Sequence, residues 1–432
     1  MDADRSRRAV VDHIANSRDE LVDLLCELVA QPSVAGDERA VQETIAAKLD
    51  ALGLEPDVWE PDDEALRDHP GFFETTSYQR QGYEGRPNVA ARIDGGDGRS
   101  LGLSGHVDVV PVEAESWTTD PWEPTVIDGR VYGRGTMDMK GGIAAALTAV
   151  RALVERDVSL GGDLLLQTTI EEEEGGCGGV LSALERGYRP DAAIIPEPYG
   201  VPNVGIASAG VLYFRLTVHG KASHAARGYE GVNAFEKATK LSGALAELDR
   251  ERKARISYPP AARSDPAAEG SVTNLNVGIV RSGDWVSTVP SRAVLECRIG
   301  WPPGESRDDV RRQVREAVDG VVENDEWLAE HPPGLEWFGW SAEPHEVPRD
   351  AEILSIAKRR AEEVTGDTTE YVGGLAGMDE RFYNNYYDIP CVTVGPSGEN
   401  GHGADESVEI ESLVETAQTI ALSAMDWCGI DE

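Results

Sequence analysis

Three stretches of the chain decide its fold: SLGLSGHVDVVP (residues 100–111), IAAALTAVRALVER (143–156) and DLLLQTTI (163–170). The first and third are short, nearly continuous apolar runs, which are typical of strands buried on both faces of a sheet. The second is rich in alanine and has the apolar spacing of an amphipathic helix. This order of strand, helix and strand predicts a parallel or mixed α/β sheet with helices on both faces.

The same alternation continues outward from these stretches and is interrupted once. A helix (VLSALERGY, 180–188) and a strand (DAAIIPEP, 191–198) follow, and the last 80 or so residues return to the pattern. From residue 210 a β-α-β-β-α-β order favours a small antiparallel sheet backed by two helices. We therefore predict an α/β domain built from residues 1–209 and 345–432, interrupted by an inserted α+β domain at 210–344. The polar stretch from about residue 57 to 87 is expected to run over the surface.

The overall charge of the chain is strongly negative. Asp and Glu number 78 against 40 Lys and Arg, the net charge is −38, and only seven of the basic residues are Lys. Carboxylates spread along the whole chain are typical of a halophile's cytosolic protein, which stays hydrated where salt screens its self-repulsion. An acidic protein from an ordinary organism is the alternative. No basic stripe is present to neutralise phosphates, which argues against a nucleic-acid partner.

The apolar runs, the N-terminal stretch and the cysteines of the sequence bear on its cellular compartment. There is no apolar run of about 18 residues, so no membrane-spanning helix is expected. The N-terminal stretch does not resemble a signal peptide. The five cysteines are widely spaced, odd in number and without a C-x-x-C pair, which indicates reduced thiols. We expect a cytoplasmic protein.

Two motifs suggest a metal site at the ends of predicted strands. In SGHVDVVP, His106 and Asp108 are spaced as a metal ligand and the carboxylate that orients its ring, because residues i and i+2 share one face of a strand. Taken alone, a His-x-Asp pattern in a strand more often has a purely structural role than a metal-binding one. Asp138, in GRGTMDMKGG, lies where ligand sites in α/β sheets collect, although a helix N-cap is an equal alternative.

Further carboxylates follow the next two strands. The run Glu171–Glu174 emerges from an apolar strand and is closed by glycines, which favours convergence on a cation over a solvated surface. Metal-assisted hydrolysis needs two such carboxylates, one as a ligand and one as a base. Glu197 also ends a buried strand, and His402 lies in a glycine-rich loop. This set of nitrogen and oxygen donors suits Zn²⁺, with Mn²⁺ or Co²⁺ as alternatives.

The sequence as a whole resembles a known family of dizinc hydrolases, which includes aminoacylase, acetylornithine deacetylase, succinyl-diaminopimelate desuccinylase and carboxypeptidase G. The similarity spans about residues 10–430. The matching segments, in the family's order, are SGHVDVVP, DPWEPTVIDGRVYGRGTMDMKGG, IEEEEGGCGG, IIPEP, HGKASHAARGYEGVNA and GPSGENGHGADESVEI. The resemblance implies that the first domain is catalytic and that the inserted domain serves as a lid and in dimerisation.

The resemblance also implies a role for each metal-site residue. Asp138 would bridge two divalent ions, most simply Zn²⁺, and the peptide bond after it would be cis. His106 and Glu197 would complete one site, and Glu173 and His402 the other.

Three further roles follow from the resemblance. Glu172 is expected to be the general base for a water activated by both metals, and Asp108 to orient His106. A slip of one position in the glutamate run would move base and ligand together. His224, in GKASHAA, is expected to stabilise the oxyanion from the other subunit of a homodimer formed through the inserted domain.

The substrate-binding positions match the family less well. Arg298 stands where the family has an Arg that pairs with a substrate carboxylate. Asp379 and Arg381, in GGLAGMDERFY, match a family segment only loosely and are candidate substrate contacts. The leading prediction is hydrolysis of N-acyl amino acids. The second hypothesis is a metallocarboxypeptidase or dipeptidase that acts on short peptides. The third is a metal-binding protein without catalytic activity.

Overall fold

The computed structural model describes residues 3–431 and divides them into two compact units. The first comprises the chain up to Ala207, Glu346–Val372 and the chain from Met378 onward. The second comprises Ser208–His345 together with the short segment Gly373–Gly377. None of the helices within residues 3–431 is both long and apolar enough to cross a bilayer.

The helices of the described chain are α1 (Ala3–Asn16), α2 (Arg18–Val29), α3 (Arg39–Ala51), α4 (Asp63–Leu66), α5 (Thr76–Gln81), α6 (Gly141–Glu155), α7 (Val180–Arg186), α8 (Ala234–Arg255), α9 (Pro259–Ser264), α10 (Arg307–Glu323), α11 (Glu326–Glu330), α12 (Glu352–Thr365), α13 (Glu380–Tyr386) and α14 (Ile410–Cys428).

The strands are β1 (Asp57–Trp59), β2 (Asn88–Ile93), β3 (Leu101–His106), β4 (Thr125–Ile127), β5 (Arg130–Tyr132), β6 (Leu164–Thr169), β7 (Ala192–Ile195), β8 (Val204–Ser208), β9 (Gly210–His219), β10 (Asn274–Ser282), β11 (Arg292–Trp301), β12 (Gly334–Ala342), β13 (His345–Glu346), β14 (Tyr371–Gly373), β15 (Cys391–Thr393), β16 (Gly398–Glu399) and β17 (Ser407–Glu409).

The first unit is built on a mixed sheet with the strand order β1-β2-β6-β3-β7-β15-β8. Strand β3 pairs in parallel with both β6 and β7, and all three are fully buried, which accounts for their apolar sequences. Helices α6 and α14 pack against β3, while α3, α7 and α13 pack against β2, β6 and β15. The predicted mixed sheet between helices is confirmed.

A second, small antiparallel sheet, β16-β17-β5-β4, has a direct bearing on the site. Strand β5 leads into the loop that carries Asp138, and β16 and β17 form the hairpin whose loop carries His402. Because β17 pairs with β5, these two loops are held side by side. The strands are only two or three residues long and leave no periodicity in the sequence, so the sequence did not predict this sheet.

The second unit is a four-stranded antiparallel sheet, β10-β11-β9-β12, with α8 and α10 packed on it. Alternate residues of β9, such as Leu212, Phe214 and Leu216, are fully buried in its core, while those between them are half-buried. The N-cap Asn233 begins α8, and a capping box at Ser306 begins α10. The predicted inserted α+β fold is confirmed.

Candidate metal centre

The candidate centre lies where three parallel strands end. His106 is the last residue of β3, the glutamate run follows β6, and Glu197 follows β7. His106 and Thr169 are paired in register, so the residues beyond them leave the sheet at one edge. His106 and Glu197 are almost completely buried there, and Glu172 is 7% exposed.

Asp138 places its two carboxylate oxygens against different histidines. Oδ1 lies 3.1 Å from His106 Nε2, and Oδ2 lies 3.2 Å from His402 Nε2. Glu197 Oε1 is 3.3 Å from His106 Nε2, and Glu173 Oε2 is 3.0 Å from His402 Nε2. The five ligand candidates thus form two groups that share Asp138. The Asp138–Met139 peptide bond is cis.

Glu172 lies beside the group of His106 and Glu197, at a longer distance from the imidazole than the ligand candidates. Its Oε2 is 3.9 Å from His106 Nε2. Donor atoms of His106, Glu172 and Glu197 lie within 4.8 Å of one another, as do those of His106, Asp138 and Glu173.

The electrostatics of this cluster fit divalent cations. Burial raises the pKa of Glu173 to about 7 and that of Glu197 to about 8, and it raises the pKa of Glu172 well above its usual range. Burial also opposes ionisation of Asp138, but hydrogen bonds from His106 and His402 lower its pKa. Within residues 3–431 the only ion-pair partners of these four carboxylates are the two histidines.

One buried atom of the cluster has no hydrogen-bond partner. Glu173 Oε1 is shielded from solvent and accepts no hydrogen bond within the described chain. Buried carboxylates that lack cationic partners are costly unless they coordinate a metal. The donor set of two imidazoles and three or four carboxylates therefore fits two divalent ions, and their identity as Zn²⁺ stays a prediction.

Asp108 contacts the centre through both its main chain and its side chain. His106 Nδ1 donates to the main-chain carbonyl of Asp108 at 2.8 Å, while the nearest carboxylate oxygen is 3.6 Å away. This bond leaves the lone pair on Nε2 free for a metal. The Asp108 carboxylate instead accepts the main-chain amides of Glu172 and Glu173, each at 3.1 Å.

Glu406 is a supporting residue that we did not predict. Its buried carboxylate accepts the main-chain amides of Gly135, Met137 and Asp138 at 2.9–3.0 Å. It therefore fixes the loop that presents Asp138. The available signal was an acidic residue four positions after His402 in the same glycine-rich segment.

The family model "Peptidase family M20/M25/M40" matches residues 102–426. The chain belongs to this peptidase family. It is therefore a metal-dependent hydrolase of amide or peptide bonds, and the two groups at Asp138 are its candidate metal sites.

Several members of the M20 family are similar over nearly the whole chain. An N-formyl-4-amino-5-aminomethyl-2-methylpyrimidine deformylase of Halalkalibacterium halodurans is 29% identical over 97% of this chain and 96% of its own length. A succinyl-diaminopimelate desuccinylase of Methylobacterium radiotolerans is 28% identical over 93% and 95%. An M20 metallo-carboxypeptidase of Sulfolobus solfataricus shares the fold, with a TM-score of 0.73, 17% identity and coverage of 94% and 98%.

The candidate substrate residues of the first unit border the glutamate loop. Asp379 is 3% exposed, burial raises its pKa to about 7, and its Oδ1 lacks a hydrogen-bond partner in the described chain. Arg381, also buried, donates to the main-chain carbonyls of Gly175 and Met378. These contacts give Arg381 a role in holding the loop, and substrate contact by either residue stays a prediction.

The second unit carries the other two candidates. His224 is exposed, and its Nδ1 accepts a hydrogen bond from the amide of Ala226 at 3.1 Å. In the neutral ring this leaves Nε2 as a donor, as an oxyanion contact requires. Arg298 is half-buried on β11, donates to Asn274 Oδ1 at 2.7 Å and has no acidic ion-pair partner within residues 3–431.

Proposed function

We propose that this M20 hydrolase removes a small acyl group from an amine, with N-acyl amino acids as its substrates. The observation that carries the proposal is the placement of the Asp138 oxygens against two different histidines, each accompanied by a glutamate. In this proposal His106 and Glu197 hold one ion, Glu173 and His402 hold the other, and Asp138 serves both. When bound, two ions such as Zn²⁺ polarise the amide carbonyl and make water a strong nucleophile at neutral pH.

Glu172 is the proposed general base. It lies in a buried position beside His106, and burial raises the pKa of its carboxyl, which favours uptake of a proton. As the amide carbon is attacked, Glu172 accepts the proton of the incoming water and then delivers it to the departing amine. His224 is the proposed donor to the oxyanion, through Nε2.

The relatives favour a deacylase over a peptidase, and Arg298 favours a substrate with a carboxylate. The two relatives described above remove a formyl or a succinyl group from an amine, according to their names, and each covers more than nine-tenths of this chain. The half-buried Arg298, without an acidic partner in the described chain, suits a substrate carboxylate, which N-acyl amino acids and dipeptides both carry and an uncharged amide lacks. The second candidate substrate is an N-formyl aminomethylpyrimidine, which the first relative favours.

A substrate panel tests this proposal. Wild-type protein loaded with Zn²⁺, Co²⁺ or Mn²⁺ is assayed on acetyl, formyl, succinyl and carbamoyl amino acids, on the N-formyl aminomethylpyrimidine and on dipeptides. We expect turnover of one acyl class, abolished by a chelator and restored by added metal. Activity confined to dipeptides would establish the alternative reading, and chelator-resistant activity would contradict the metal assignment.

Arg298 separates the two candidate substrates. Replacement of its guanidinium in Arg298→Ala should raise KM for N-acyl amino acids by about 10–100-fold, because a charged hydrogen-bond partner of the carboxylate is lost. The same variant should leave KM for the uncharged pyrimidine amide unchanged. An equal effect on both substrates would remove Arg298 from the carboxylate site.

We also propose a cytoplasmic homodimer, formed through the second unit, in which His224 of the partner subunit completes each site. Sedimentation should then give twice the 46.6 kDa chain mass. Mixing the inactive variants His224→Ala and Glu172→Gln, with subunit exchange, should recover about a quarter of the wild-type sites, because one site of each mixed dimer is intact. No recovery from exchanged dimers would place His224 in the same subunit as its site.

A further inference from the structure

Glu171, the first residue of the glutamate run, is directed away from the metal centre into a buried polar environment. It is completely buried and adopts a left-handed backbone conformation, with φ of 72°. Its carboxylate accepts five hydrogen bonds, from Thr75 Oγ1 (2.5 Å), Ser77 Oγ (3.1 Å), Arg86 Nη1 (3.2 Å), the Tyr83 hydroxyl (3.2 Å) and the Gly178 amide (2.8 Å). Five donors saturate both oxygens of an ionised carboxylate.

Four of these donors come from one segment, residues 73–86, which we call the flanking segment. The flanking segment also contacts the rest of the glutamate loop, between Glu174 and Gly178. The Ser77 amide donates to Glu174 Oε2 at 2.6 Å. The ring of Phe73 lies so close to Gly175 that a Cβ there would be 2.3 Å from it, and Tyr83 lies equally close to Gly178.

The flanking segment is itself anchored at Arg86. Two nitrogens of its guanidinium donate to the carboxylate of Glu38, at 2.7 and 3.0 Å, and both side chains are at most 1% exposed. A buried Glu–Arg–Glu arrangement contributes little net stability compared with apolar packing of the same volume. The main effect of this arrangement is therefore geometric, because the contacts of Arg86 fix the position of the Glu171 carboxylate.

The opposite side of the loop is held by Asp108, which accepts the amides of Glu172 and Glu173. The turn that presents base and ligand is thus fixed by its main chain on one side and by the Glu171 side chain on the other. We propose that Glu171 is a positioning residue, which together with its donors Thr75, Ser77, Tyr83 and Arg86 aims Glu172 at the reacting water. This inference rests on the proposed function of Glu172.

Two matched pairs of variants test the inference. Glu171→Gln removes the charge and offers an NH₂ group to donors, and the control Glu84→Gln makes the same change at an exposed position of the flanking segment. Tyr83→Phe removes one hydroxyl that faces Glu171, and the control Tyr78→Phe removes one that faces Asp63. Each variant is loaded with metal and characterised by kcat, KM, metal content and hydrogen exchange of the peptide covering residues 170–178.

A positioning role predicts a loss in kcat alone. We expect kcat to fall roughly ten-fold or more in Glu171→Gln and about three-fold in Tyr83→Phe, with KM within about two-fold of wild type. Exchange in the loop should accelerate in both, metal content should stay at two ions per chain, and both controls should behave as wild type. Even if Glu171→Gln fails to fold, Tyr83→Phe decides the question.

Unchanged kcat in Tyr83→Phe together with faster loop exchange would overturn the inference, because the network would then serve stability alone. If the wild type turns over no substrate of the panel, the proposed function fails by itself. The inference is then judged on loop exchange and on the absorption spectrum of the Co²⁺-loaded protein. Changes in both, confined to the Glu171 and Tyr83 variants, would support positioning of the loop, and unchanged exchange and spectra would refute it.

Discussion

At the scale of single residues, the neighbouring carboxylates Glu172 and Glu173 occupy different environments. Glu173 lies 3.0 Å from His402, whereas Glu172 stands 3.9 Å from the nearest imidazole nitrogen. We therefore expect Glu172→Gln to lower kcat by about 10²–10⁴-fold and to keep its metal, because a general base is lost but no ligand is. Kinetics and metal analysis of the purified variant check this.

The control for that experiment is Glu173→Gln. Loss of a ligand should lower metal content as well as kcat. If Glu172→Gln loses metal and Glu173→Gln retains it, base and ligand are offset by one position in the glutamate run. Unchanged kcat in Glu172→Gln would remove this residue from the chemistry.

Gly176 illustrates how closely the loop is packed. It has a φ of 65°, and a Cβ placed on it would lie 1.9 Å from Asp379 Oδ1. Gly366, at the end of α12, has a φ of 77° with no atom within 4 Å of such a Cβ. Gly366→Ala should therefore cost only the left-handed backbone, about 1 kcal/mol, while Gly176→Ala should cost roughly 1–3 kcal/mol more. Thermal unfolding measures the loss of stability in both variants. Equal losses would contradict a steric clash between a Cβ at position 176 and Asp379.

The residues at the centre could be predicted unequally well. His106, Asp138 and Glu197 end strands or lie in glycine-rich loops, so their positions follow from the order of elements. The hydrogen bonds of the Asp108 carboxylate to the amides of Glu172 and Glu173 could not be predicted from strand geometry, because β3 ends at His106 and the alternation of faces stops there. Glu171 and Glu406 bind main-chain amides, hydroxyls and the guanidinium groups of Arg86 and Arg134, and most of these groups are distant in the sequence, so the acidic residues alone did not predict the contacts.

At the scale of elements, strong periodicity predicted the long helices and buried strands. Residues 6–30, whose sequence has helical periodicity throughout, form two helices, because the helix is interrupted at Ser17 between α1 and α2. The polar stretch 57–87 was expected to lie on the surface. Most of its residues are exposed or half-buried, but it also contains β1, α4 and α5, and it buries Thr75, Tyr83 and Arg86. Polar residues buried against polar partners look exposed when only hydrophobicity is considered.

The link between α8 and α11 has a defined pH dependence. Asp325 is the N-cap of α11, accepting the amides of Trp327 and Leu328, and its side chain is 3% exposed. Burial opposes its ionisation, but hydrogen bonds from Lys237 and Lys240 of α8 hold its pKa below the usual range. Its contribution to stability is therefore present above the unfolded pKa of about 4 and is lost as the pH falls below it.

We expect Asp325→Asn to lower the free energy of unfolding by roughly 2 kcal/mol at neutral pH. The difference from wild type should shrink progressively as the pH falls below about 4, because Asp325 of the unfolded wild-type chain then takes up a proton while the folded side chain, whose pKa is lower, stays ionised. Asp319→Asn makes the same change at an exposed position of α10 and serves as the control. Denaturant unfolding at several pH values provides the measurement. A difference that persists unchanged in acid would show that shape, and not charge, holds the two helices together.

At the scale of the whole molecule, the net charge of −38 is the dominant property. Many of the 33 arginines are used in ion pairs with these carboxylates. The single carboxylate of Asp426, for example, forms ion pairs with Arg7, Arg359 and Arg360. Carboxylates still outnumber basic groups by nearly two to one, so local pairing leaves a large unbalanced repulsion. Folding concentrates this charge, and repulsion opposes the compact state.

Salt should therefore decide the stability of the fold. The screening length falls from about 30 Å in 0.01 M salt to about 3 Å in 1 M, shorter than most distances between surface carboxylates. We expect the thermal midpoint to rise steeply with KCl over this range and the protein to unfold at low salt near ambient temperature. Sucrose, which favours compact states without screening charge, is the control and should not replace KCl. A midpoint that is the same in dilute buffer and concentrated KCl would identify an acidic protein of an ordinary organism.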